Sequence, residues 1–147
     1  MNQSERRRYL IQELLNEQKE YSHYSIPEDS RGQKDLLRGL LNVRAPKMLR
    51  REFLKIQDEY LKEETEKKGI TDLADLTPVE PGIYIWQGDI TTLRCDAIVN
   101  AANSGMTGCY APNHKCIDNC IHTFAGAQLR YECAQMMKAQ GHEEPTG

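Results

Sequence analysis

The 147-residue sequence has no run of about 18 apolar side chains, so no membrane-spanning helix is expected. It also lacks a signal-peptide core. Met1-Asn2-Gln3-Ser4-Glu5 leads into Arg6, Arg7 and Arg8, and no apolar stretch follows. Export is therefore not expected, and a cytoplasmic setting is. There is no excess of positive charge: the net charge of −3 removes the electrostatic case for nucleic acid. No internal repeat or low-complexity tract is present. The five cysteines are an odd number without an export signal, which argues against a disulfide framework. Clustered thiols beside a histidine then read as metal ligands or a catalytic thiol.

The length suits one domain with an appendage. Composition changes near Pro78. Residues 1–77 hold 15 basic and 15 acidic side chains, whereas residues 78–147 hold 4 basic and 7 acidic ones and every cysteine. The first part reads as an α-helical N-terminal extension. Leu10, Ile11, Leu14 and Leu15 make one apolar stripe, in a segment that Pro27 ends. Leu36, Leu37, Leu40 and Leu41 make a second, with Ser30 as a candidate N-cap. Leu49, Phe53, Ile56 and Tyr60 make a third, which Gly69 closes. These stripes read as core packing, with no catalytic assignment.

The second part opens on Pro78, Pro81 and Gly82. Ile83-Tyr84-Ile85-Trp86 reads as a strand that Gly88-Asp89 breaks. Cys95-Asp96-Ala97-Ile98-Val99-Asn100 reads as a second, buried strand. Residues 101–116, rich in Asn, Gly, Ser and Pro, form a loop. From Asp118 to Ala139 the spacing predicts one helix, with Ile121, Ala125, Leu129, Cys133 and Met136 on one face. Strand, strand, loop and helix in this order point to an α/β layer fold. Ligands in such folds gather beyond the carboxyl ends of the strands, where the loop after Asn100 lies.

Four motifs could carry chemistry. In Cys109-Tyr110-Ala111-Pro112-Asn113-His114-Lys115-Cys116, two thiols and an imidazole are preferred zinc donors close enough to wrap one ion. Cys120, four positions later, could close a structural four-ligand site; without it, the site keeps the open position of a catalytic one. Gly88-Asp89-Ile90-Thr91 offers a carboxylate to an exocyclic amine such as that of adenine, although on its own it reads first as a turn cap. Asn100-Ala101-Ala102-Asn103 sets two amides beside two small residues, which suits ribose hydroxyls or, equally, a polar strand end. Asp118-Asn119 begins the last helix. Asp118 could be an N-cap there, or could orient a water, and the backbone amides could hold a phosphate. His122 reads as a packed histidine.

Taken in order, Gly88-Asp89-Ile90-Thr91, Asp96 to Asn103, Ile117-Asp118-Asn119-Cys120-Ile121-His122, Ala125-Gly126 and Leu129 resemble the macrodomain family of ADP-ribose-binding proteins. The resemblance covers about residues 80–147. It implies that Asp89, with Ile90, contacts adenine and that Asn103 faces the distal ribose. Asp118 would be the aspartate of the Asp-x-x-Ile-His motif, so Asn103 and Asp118 are the candidate catalytic residues. Cys116, Ile117 and Asn119 would fall among the ligand contacts. Hydrolytic macrodomains carry a glycine run before that aspartate. Here Cys109 to Cys116 replaces it, as in the microbial zinc-containing branch, which implies Zn2+ on Cys109, His114 and Cys116 and leaves Cys120 to the helix core.

That branch removes mono-ADP-ribose from modified proteins and is often encoded beside a sirtuin-like ADP-ribosyltransferase. The resemblance thus implies a zinc-dependent hydrolase acting on mono-ADP-ribosylated protein, with no nucleic-acid or membrane partner. The family's second glycine-rich loop, which cradles the diphosphate, has no counterpart before Gly147. An incomplete, N-terminal part of a macrodomain sheet is therefore expected over residues 78–147. Two alternatives stay open: a non-catalytic ADP-ribose-binding module with structural zinc, and an inactive truncated product.

Overall fold

The first two helices begin where a side chain closes their free N–H groups, and all three bury apolar residues of the stripes that the spacing predicts. The structure, a computed structural model, describes residues 1–145. Helix α1 spans Gln3–Glu17. Its capping box is complete, with the Asn2 side chain accepting from the Glu5 amide at 3.0 Å and the Glu5 carboxylate accepting from the Asn2 amide at 2.8 Å. Helix α2 spans Ser30–Val43. Its cap is Asp29, one residue before the expected Ser30, because the Asp29 carboxylate accepts from the Gly32 amide at 2.8 Å. Helix α3 spans Arg51–Lys68 and ends at Gly69.

The apolar core lies among these three helices. Leu10, Ile11 and Leu14 of α1 meet Leu37 and Leu40 of α2 and Phe53 of α3, all buried. Burial of each such side chain contributes about 1.5–3 kcal/mol. Among the described residues no helix is long and apolar enough to cross a membrane.

The apolar runs expected as strands are not strands. Residues 83–86 are tied by a single antiparallel bridge between Glu80 and Ile83, and Ile85 is 80% exposed. Residues 95–100 bend at Cys95 and Asp96 and then run without secondary structure, with Val99 86% exposed. An apolar run becomes a strand only when a neighbour takes its N–H and C=O groups. Among the described residues, no such neighbour flanks either run beyond the Glu80–Ile83 bridge. The sheet is instead one short parallel pair, β1 (Thr71–Asp72) and β2 (Leu93–Arg94), in register Thr71↔Leu93 and Asp72↔Arg94. The fold is thus helical with a small parallel sheet, a partial α/β arrangement.

The single helix expected from Asp118 to Ala139 is two: α4 (Ile117–Ala125) and α5 (Ala127–Gln140). Gly126 separates them with φ 91° and ψ 167°, a conformation open almost only to glycine. A Cβ there would lie 2.4 Å from Nε2 of Gln57, the α3 side chain whose Oε1 accepts from the Ala127 amide at 3.0 Å. So α3 caps α5 from outside. Of the face predicted for this region, Ile121 and Cys133 are buried but Met136 is exposed. Helix α4 packs on α2 and α3. It carries the candidate site at its N-terminus.

Candidate metal centre

The loop before α4 brings three soft donors together. One donor atom each from Cys109, His114 and Cys116 lies within 4.8 Å of the others. Sγ of Cys109 stands 3.6 Å from Nδ1 of His114. Donors around a tetrahedral zinc, with Zn–S of about 2.3 Å and Zn–N of about 2.0–2.1 Å, sit about 3.5–3.8 Å apart. The donor set and its spacing therefore fit a zinc ion. Cys120 stands outside this group; its Sγ lies 3.5 Å from Nη2 of Arg38.

Cys116 has a second role. It is the N-cap of α4, and its Sγ accepts from the Asn119 amide at 3.4 Å. The cap expected of Asp118 thus belongs to Cys116, which frees the Asp118 carboxylate for other contacts.

Asp118 lies in the first turn of α4 and is 5% exposed. Its Oδ1 accepts from Nδ2 of Asn100 at 2.8 Å and stands 3.6 Å from Nε2 of His122. Burial lowers the pKa of His122, and the nearby Arg130 charge lowers it further; Asp118 opposes them without prevailing. The imidazole is thus held toward its neutral form, and the expectation of a packed histidine agrees with its burial. Gly108, with φ 84°, lets the loop pass over this ring, since a Cβ there would stand 2.7 Å from His122 Cγ. Oδ1 of Asn100 is buried without a partner among the described residues.

Asn119 is fully buried. Its Nδ2 donates to the Ala111 carbonyl at 3.0 Å and its Oδ1 accepts from Arg38 at 2.9 Å, so this amide ties the loop of the three donors to α2. Asn103 is exposed and donates to the Gly108 carbonyl at 3.1 Å, on the same loop. Ile117 is half-buried at the start of α4. Asp89 and Ile90 stand elsewhere, beside the end of α3. Asp89 caps the short turn Ile90–Thr92 and pairs with Lys68 at 3.0 Å. Burial raises the Asp89 pKa, but hydrogen bonds from Thr91 and Lys68 outweigh it and hold the carboxyl below its ordinary value. Lys68 in turn lies over the Phe124 ring of α4, 3.1 Å from its centroid.

Three residues around the loop escaped sequence reasoning: Arg38 and Asn42 of α2, and Arg130 of α5. Each reaches loop atoms from more than 20 positions away in the chain. Asn42 and Arg130 are buried, which a polar residue on a helix does not announce.

Residues 99–147 match the family model of the Macro domain. That segment contains the three donors, Asn103 and Asp118. A protein of Treponema medium named protein-ADP-ribose hydrolase is 60% identical over 151 residues, which covers all of this chain and 58% of that protein. The Staphylococcus aureus (strain MRSA252) protein of the same name is 44% identical over 140 residues, or 95% of this chain and 52% of its own length. A Fusarium oxysporum f. sp. cubense protein, named probable bifunctional ADP-ribose hydrolase/ADP-ribosyltransferase, is 43% identical over 123 residues, or 76% of this chain and 21% of its own. The chain spans a little over half the length of the first two relatives.

Proposed function

We propose that this chain is the N-terminal part of a zinc-dependent protein-ADP-ribose hydrolase, which removes mono-ADP-ribose from modified proteins in the cytoplasm. The observation that carries this reading is one juxtaposition. Cys116 is both a donor of the three-residue cluster and the cap of the helix whose first turn holds the buried Asp118. The two hydrolases similar along nearly the whole chain supply the substrate class.

Cys109, His114 and Cys116 would hold the metal. When bound, zinc supplies Lewis-acid polarisation of an oxygen beside it. Asp118 accepts hydrogen bonds and orients a water or a ribose hydroxyl. Asn100 fixes that carboxylate from one side, and its free Oδ1 is an acceptor for the same hydroxyl or water. Asn103 reaches the distal ribose from the far end of the loop. Asp89 with Ile90 contacts adenine, while the backbone around Cys116 and Ile117 lines the ribose and phosphates. Coupling to an ADP-ribosyltransferase gains support from the double name of the Fusarium relative; its sirtuin-like character rests on the family resemblance.

The test is release of ADP-ribose from a mono-ADP-ribosylated protein. The zinc-loaded chain, extended to the length of its curated relatives, is expected to release it. Cys116→Ser keeps an oxygen cap but loses a soft donor, and Asp118→Asn keeps the shape but loses the charge. Each should slow release at least about 100-fold. Tight ADP-ribose binding without turnover in the loaded parent would make the protein a reader instead.

A further inference from the structure

The loop that carries the three donors is held in part from outside: Arg38 and Asn42 of α2, Asn119 of α4 and Arg130 of α5 all answer its polar groups. Arg38 donates from Nη2 to the carbonyl of His114 at 2.8 Å and to Oδ1 of Asn119 at 2.9 Å. Asn42, 1% exposed, accepts from the Asn113 amide at 2.9 Å and donates to the Thr123 hydroxyl of α4 at 3.0 Å. At Gly39 the loop lies against the backbone of α2: a Cβ there would meet Asn113 at 3.4 Å and Pro112 at 3.8 Å.

A third hold comes from α5 but still passes through α2. Buried Arg130 donates from Nη1 to the carbonyls of Leu41, Asn42 and Arg44 at 3.2, 2.6 and 2.9 Å, which lie at the C-terminus of α2. A cation is favoured there by the helix dipole. From Nη2 it donates to the carbonyl of Cys109 at 3.3 Å, and its guanidinium stacks 4.2 Å from the Tyr110 ring centroid. Arg38 and Arg130 each keep Nε buried without a partner among the described residues. Leaving a guanidinium donor unanswered is costly. Both side chains thus sit where they can fasten the loop and not where their own hydrogen bonding is complete.

We propose that helix α2 is a working part of the metal centre, with Arg38 and Asn42 as positioning residues that set the geometry of Cys109, His114 and Cys116. This rests on the reading that those three residues bind a metal. The contacts fall on the backbone of His114 and of its neighbour Asn113, so they orient a ligand without touching it. Supports of this kind typically change metal affinity by 10–100-fold when removed. The helical region thereby has a function beyond its apolar core. By linkage, a loop that α2 shapes for the metal is a loop whose metal steadies α2.

The experiment measures zinc affinity of the 147-residue chain by competition with a chromophoric chelator, and reads thiolate ligation from the charge-transfer band of bound cobalt(II). Arg38→Met and Asn42→Leu remove the hydrogen bonds. Leu14→Ala lowers stability in the core away from the loop and serves as the control. Arg38→Met, at a half-buried site, keeps the test open should Asn42→Leu fail to fold. Either folded variant should bind zinc at least about tenfold more weakly, with a shifted cobalt band, while Leu14→Ala binds as the parent does. Amides in the last turn of α2 should exchange more slowly with zinc than without. Equal affinities across the set overturn the inference and leave the metal reading standing. A parent chain that shows no cobalt band overturns the metal reading and the inference with it.

Discussion

His122 shows how much one buried side chain sets at this site. It lies under Gly108, beside Asp118, with the positive charge of Arg130 nearby. Its pKa in the folded chain falls below the ordinary value of about 6.5. Between that depressed value and about 6.5, the unfolded chain binds the proton and the folded chain does not. Stability therefore rises with pH across this window, is fully present above about pH 6.5, and is lost as the pH falls toward the folded value. His122→Gln should remove that part of the slope. Urea unfolding at about pH 7.5 and 5.5 checks it: the parent should lose more stability on acidification than the variant, and equal losses would contradict the assignment. At this scale the donor cluster was legible because Cys109, His114 and Cys116 are close in sequence and belong to the residue types zinc prefers. Asn42 and Arg130 were not, since their partners lie about 70–90 positions away in sequence and burial turns residues that read as solvated into hydrogen-bonding hubs.

Helices were readable as elements, and strands were not. A stripe at helical spacing buries itself against any apolar neighbour, so α1, α2 and α3 appeared where their leucines and Phe53 required them. A strand needs a particular partner for its backbone, and beyond the Glu80–Ile83 bridge the runs at 83–86 and 95–100 find none among the described residues. The break between α4 and α5 was hidden for a third reason: glycine is tolerated inside a helical pattern, so Gly126 gave no sure signal. Gly126→Ala is expected to destabilise the chain by about 1–3 kcal/mol, because alanine cannot adopt this conformation without strain. The clash with Gln57 would also disturb the outside cap on α5. Chemical denaturation measures the loss, and a variant as stable as the parent would show that the two helices can fuse.

Over the whole molecule, apolar burial is concentrated in the N-terminal helices while the later part exposes Ile85 and Val99. Two exposed apolar runs with unanswered backbone groups are templates for pairing with another copy. The chain at 147 residues should therefore self-associate as concentration rises, which light scattering detects. Val99→Lys should reduce that association without lowering the melting temperature, since the side chain is 86% exposed. A fall in melting temperature equal to that of a core substitution would mean that Val99 is packed in solution.

The distribution of contacts also orders events in time. Proteins are synthesised from the N-terminus, and units rich in local contacts fold early. Helices α1, α2 and α3 end at Lys68, and both Arg38 and Asn42 precede it. The ribosome therefore delivers the receiving surface before it delivers Cys109. The loop with the three donors thus emerges after the helices that Arg38 and Asn42 belong to.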